Sequence, residues 1–88
     1  MVKYVATSSQ ISAELGGNSV ILHTDVSEYF GLNEVGSSVW SMILEQPRSI
    51  SELVNEITEL YDVDYEQCYI DVNALIQKLQ EESLVETR

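Results

Sequence analysis

At the junction of Leu32 and Asn33 the apolar periodicity of this chain changes, and that change limits the folds open to it. Before the junction, Ile11-Ser12-Ala13-Glu14-Leu15 alternates apolar and polar residues, as a half-buried strand does. After it, Val35, Val39, Trp40, Ile43 and Leu44 recur every three or four residues, as one face of a helix does. Strands gathered at one end of a short chain and helices at the other specify an α+β domain.

Two turns divide the first part. Gly16-Gly17-Asn18 supplies residues that tolerate positive φ, and Thr24-Asp25-Val26-Ser27 supplies a second corner. Between them, Ser19-Val20-Ile21-Leu22-His23-Thr24 reads as a strand, and Glu28-Tyr29-Phe30-Gly31-Leu32 as the next. Two consecutive hairpins give a three-stranded antiparallel meander. Lys3 to Thr7 can add a further strand.

Three helices follow. Asn33 caps the first, which ends near Gln46 because Pro47 disfavours helical geometry in the residue before it. Ser49 and Glu52 form a capping box ahead of the stripe Ile50, Leu53, Val54, Ile57, Leu60 and Tyr61. Asp64 and Gln67 are spaced for a second box, opening a helix from about Tyr65 to Glu82. Three short strands cannot be covered on both faces, so the helices pack on one side. Parity then points Phe30 and Leu32 towards the helices, with Tyr29 and Gly31 facing away. The expected fold is a β-meander followed by a three-helix unit, close to a winged helix-turn-helix.

In the last helix, Leu75, Ile76 and Leu79 make a stripe one packing seam wide. Tyr65, Cys68, Tyr69 and Val72 broaden it towards the N-terminus. Tyrosine offers large contact area with a polar tip, so this end is expected to line a partly wet surface cleft.

Eighty-eight residues make one domain spanning residues 1–88. No stretch reaches the length of a membrane span, Met1-Val2-Lys3-Tyr4 lacks a signal-peptide core, and the single Cys68 cannot form an internal disulfide. A cytoplasmic protein is expected. Fifteen acidic and four basic residues give a net charge of −11, and Lys3, Arg48, Lys78 and Arg88 are scattered. Phosphate-backbone binding needs clustered cations, so nucleic acid and anionic membranes are excluded as partners.

Chemistry finds little to build on. His23 and Cys68 fall on different elements, and nucleophilic catalysis needs a base beside its nucleophile. One Cys and one His cannot complete a zinc site. Asp62-x-Asp64-x-Glu66 has the start of a calcium loop, but Gln67 stands where glycine is required and Asn73 where the closing glutamate is. Leu15-Gly16-Gly17-Asn18-Ser19 resembles the phosphopantetheine attachment segment of carrier proteins, yet Ser19 opens a strand rather than a helix. No metal, cofactor or catalytic residue is expected.

The ordered set Glu28-Tyr29-Phe30-Gly31-Leu32-Asn33-Glu34-Val35-Gly36 with Val39-Trp40, then Ser49-Ile50-Ser51-Glu52-Leu53, Tyr61-Asp62-Val63-Asp64 and Leu79-x-x-x-x-Leu84-Val85, resembles the PqqD-like family. The resemblance covers residues 10 to 86. It implies a non-catalytic recognition element for ribosomally made, modified peptides, which binds the leader of a precursor as a strand added to the third strand. Carried onto this chain, the edge is Glu28, Tyr29, Phe30, Gly31, Leu32 and Asn33. The helix side is Tyr65, Cys68, Tyr69, Val72 and Ile76. A Leu32→Pro change is expected to break that edge. The N-terminal segment lacks a proline-rich start, and Gln46-Pro47-Arg48 replaces a turn that often contains glycine. These departures favour a lasso-peptide recognition protein, with a leader peptidase and a cyclase as partners, over a chaperone for a radical-SAM enzyme as in pyrroloquinoline quinone biosynthesis. A winged-helix transcriptional regulator is the structural neighbour, but the last helix carries Glu66, Asp71, Glu81 and Glu82 against Lys78.

Overall fold

In the computed structural model, which describes residues 2–16 and 18–88, eight elements follow in order. They are β1 (Tyr4–Ala6), β2 (Gln10–Leu15), β3 (Asn18–His23), β4 (Glu28–Gly31), α1 (Glu34–Glu45), α2 (Ile50–Leu60), α3 (Tyr65–Glu81) and β5 (Val85–Thr87). The meander β2-β3-β4 is antiparallel throughout, with Ser12 opposite Ile21 and Ile21 opposite Phe30. Its first turn holds Gly16 at φ 63°, where glycine carries no steric penalty. Gly17, in the same expected turn, lies outside the described residues. Ser27 closes the second turn at φ 53°, with its N–H donating to the His23 carbonyl at 2.9 Å.

Alternation along β3 sets the layers. Ser19, Ile21 and His23 are buried, while Val20 and Leu22 point the other way. Ile21 joins Val39, Trp40, Ile43, Leu53, Val54, Ile57, Val72, Ile76 and Leu79 in one core between sheet and helices. Phe30 and Leu32 pack against it, as parity requires, and Tyr29 is 72% exposed.

The helix ends obey local chemistry. Ser49 and Glu52 form the full box, Ser49 N–H to Glu52 Oε1 at 2.9 Å and Glu52 N–H to Ser49 Oγ at 3.2 Å. At Asp64 only half of the expected box forms. The Asp64 carboxylate accepts from the Gln67 N–H at 3.1 Å, but the Gln67 side chain donates forward to Asp71 at 3.0 Å. The i, i+4 neighbour on the helix surface wins over the cap. Asp64 therefore serves as a helix cap, not as the start of a calcium loop.

The strand open at Lys3 to Thr7 does form, as β1, but it pairs with β5 rather than with the meander. Ala6 lies opposite Val85 and Tyr4 opposite Thr87. Arg48 holds the other side of β1: the Tyr4 N–H donates to its carbonyl at 2.7 Å, and the Arg48 N–H donates to the Tyr4 carbonyl at 3.1 Å. The Arg48 side chain is buried against Glu56 at 2.8 Å and Glu45 at 3.1 Å. Ser19 stands in β3, as expected, buried and with its N–H bonded to Ser37 Oγ at 2.7 Å, whereas a serine modified in trans must be reachable. No helix is long and apolar enough to cross a membrane among the described residues.

Candidate functional site

The edge of the meander and the flank of α3 enclose a cleft of about 560 Å³. β4 belongs to one side of it. Its inner neighbour is β3, and among the described residues no strand pairs with its other side. The Leu32 N–H donates inward to the Ser19 carbonyl at 2.9 Å. Backbone groups alternate along an antiparallel strand, so those of Phe30 and Glu28 also face β3 and those of Tyr29 and Gly31 face outward. A Leu32→Pro change would therefore split β3 from the chain after β4. The free edge is carried by Tyr29 and Gly31.

Leu32 and Asn33 then turn the chain into α1. The Asn33 carboxamide accepts from the Gly36 N–H at 2.8 Å, fixing the direction of the helix. Val35, Gly36 and Val39 supply this wall of the cleft, Ile57 its floor, and the corner Val63-Asp64 closes one end. Gln67, Cys68, Asp71, Val72 and Leu75 form the opposite wall. The lining is mainly apolar, with carboxylates of Asp64 and Asp71 at the rim, each held by Gln67. Burial raises the Cys68 thiol pKa, and the Asp71 charge adds to the effect. The thiol is thus held protonated beside the cleft. His23 lies on β3, its Nδ1 accepting from the Asp25 N–H at 3.2 Å, and takes no part in the lining.

Of the residues expected at a site, Gly31, Leu32, Asn33, Cys68 and Val72 meet in this cleft. Glu28, Tyr29 and Phe30 lead up to it along β4, Phe30 turned into the core. Three placements differ from expectation. Ile76 is buried in the core and does not reach the cleft. Tyr65 and Tyr69, 48% and 42% exposed, do not line it either. At 100° per residue Tyr69 falls on one flank of the buried stripe Cys68, Val72, Ile76 and Leu79, with Tyr65 in line with the stripe at the start of the helix, while Asp64, Gln67, Asp71 and Leu75 fall on the other flank. The cleft lies on the second flank, so its wall is built of Gln67, Asp71 and Leu75. Leu75, expected in the packing seam, is half-buried at its rim. Gln67, Asp71 and Leu75 stand at i, i+4, i+8 in the sequence, but two of the three are polar and add no apolar signal to that side of the helix.

Residues 18–85 match the family described as coenzyme PQQ synthesis protein D (PqqD). The chain belongs to the PqqD family. Among solved structures, TbiB1 in complex with the TbiA(beta) leader peptide superposes on this PqqD-family chain with a TM-score of 0.84. It is 30% identical, over 93% of this chain and 94% of that one. A lasso peptide synthetase B1 complexed with the leader peptide has the same fold, with a TM-score of 0.82 at 20% identity, over 94% of this chain and 96% of that one. No curated protein matches the sequence.

Proposed function

We propose that this chain captures the leader region of a ribosomally made precursor peptide by strand addition at β4. It holds the leader for modifying enzymes and performs no chemistry on it. The observation that carries the reading is the outward-facing backbone of Tyr29 and Gly31 running beside an apolar cleft. An added strand would bond to those groups, and its alternate side chains would enter the space between β4 and α3. Gly31, Leu32, Asn33, Cys68 and Val72 are the contacts first expected; Gln67, Asp71 and Leu75 join them. The leader-bound relatives support this reading, and among them the lasso-peptide synthetase component favours a leader peptidase and a cyclase as the enzymes served. The family description supports a second reading, a peptide chaperone in coenzyme synthesis. A cytoplasmic setting accords with either.

The test is a titration of ¹⁵N-labelled protein with a synthetic leader peptide of the cognate precursor. Shifts should concentrate at residues 28–33 and along Gln67 to Leu75. Gly31→Pro keeps an extended φ and removes only an outward donor at a solvent-facing edge, so the fold should persist. Affinity should fall about 3- to 10-fold from the hydrogen bond alone. Unchanged affinity in Gly31→Pro, or shifts confined to the β2 side, would overturn the reading.

A further inference from the structure

Among the described residues, Asp64 and Asp71 are the only charged side chains that line the apolar cleft. They lie one helical turn to either side of Gln67. Its backbone N–H holds Asp64 at 3.1 Å, and its side-chain amide holds Asp71 at 3.0 Å. Neither carboxylate forms an ion pair among the described residues, because Lys3 and Arg48 are taken by Glu52, Glu45 and Glu56. No other lysine or arginine occurs before Lys78. On the facing side, Glu28 begins β4 and Glu34 begins α1. In the free protein both carboxylates are exposed, so water solvates them. A peptide laid across the apolar lining displaces that water, and a carboxylate left without a partner then weakens its binding.

We infer that the leader taken by this chain carries a lysine or arginine among the side chains it turns towards α3, and that Asp64 and Asp71 select it. The inference rests on strand addition at β4 and names the chemistry of the peptide added there. Leu75, half-buried at the rim, can receive the aliphatic stem while the cationic head reaches the carboxylates. Gln67 fixes both acceptors before the peptide arrives, which reduces the ordering that binding must impose. An acidic leader would instead meet like charge from Asp64 and Asp71 across the whole apolar lining, and is rejected.

The test uses the full chain, the cognate leader peptide, and versions of that peptide with one lysine or arginine at a time replaced by glutamine. Asp64→Asn keeps a capping oxygen for α3 and Asp71→Asn keeps an acceptor for Gln67, so the double variant removes charge and retains the fold. Calorimetry at low salt should show it binding the leader about 5- to 10-fold more weakly than the wild type does. One glutamine peptide should show the same loss on the wild type and no further loss on the double variant, as a direct contact requires. Glu59→Gln/Glu86→Gln removes equal charge from exposed positions outside the cleft and should bind the leader within twofold of the wild type. The inference is overturned if the double asparagine variant binds as tightly as the wild type, or if the Glu59/Glu86 pair loses as much. A cognate leader without a basic residue, or glutamine peptides that all bind unimpaired, would overturn it equally. Strand addition is read separately, from the loss in Gly31→Pro, so either conclusion can fail without the other.

Discussion

The Asn33 carboxamide oxygen accepts a hydrogen bond from the Gly36 N–H at 2.8 Å, and a Cβ added to Gly36 would stand 3.2 Å from that same oxygen. The two residues explain why Leu-Asn-x-x-Gly belongs at the strand-to-helix junction. Asparagine satisfies a donor that the first helical turn leaves free. Glycine leaves room for the asparagine to do so, and for Leu75 on α3 to close to within 3.6 Å of the same position. The cap and the cleft wall thus share one small space.

Asn33→Ala should lower stability by about 0.5–2 kcal/mol, and Asn33→Ser should recover most of it. Urea unfolding of the three proteins checks this. Gly36→Ala should reduce leader affinity as well as stability, since the added methyl enters the cleft lining.

Ser37 ties α1 to the sheet: its Oγ accepts from the buried Ser19 N–H at 2.7 Å. Ser37→Ala strands that donor and should cost about 1–3 kcal/mol. Amide exchange at Ser19 should accelerate by more than the global loss of stability accounts for. Equal acceleration at all core amides would contradict a local role.

Cys68 is buried, and its thiol pKa is raised by burial first and by Asp71 second. Alkylation by iodoacetamide at neutral pH should be slower than that of a free thiol, because the thiolate is the reactive form. Leader peptide should slow it further. Protection by a scrambled peptide of the same composition would argue against a specific fit at α3.

Glu52 is held below the usual carboxylate range by its hydrogen bond to the Ser49 backbone, then by Lys3 at 3.1 Å. A carboxylate with a depressed folded pKa adds stability above its unfolded pKa and loses it as pH falls through the folded one. Stability should therefore decline below the ordinary glutamate range, and Glu52→Gln should flatten that acid limb. Gln retains an acceptor for the capping box while removing the titration. A carboxyl ¹³C titration of Glu52 measures the shift directly.

Elements and their order were legible because their causes lie within a few residues. The caps Asn33, Ser49 and Asp64 each bond to an amide three positions on, and Pro47 ends α1 through its own neighbour Gln46. The inward set on β4 followed from alternation alone. The cleft-lining residues Gly31, Leu32 and Asn33 were also legible, through the motif that continues into α1.

Tertiary structure decided the rest. β5 was not expected, because three residues carry no periodicity and their partner β1 lies some eighty positions away in the chain. The roles of Tyr65 and Tyr69 against Gln67, Asp71 and Leu75 could not be separated by composition: both sets adjoin the same buried stripe. Only the packing of α2 along one side of α3, with the meander opposite, leaves the Gln67 flank open as a cleft. Periodicity determines that a helix has a buried face; its neighbours in space determine which flank of that face is left for a ligand.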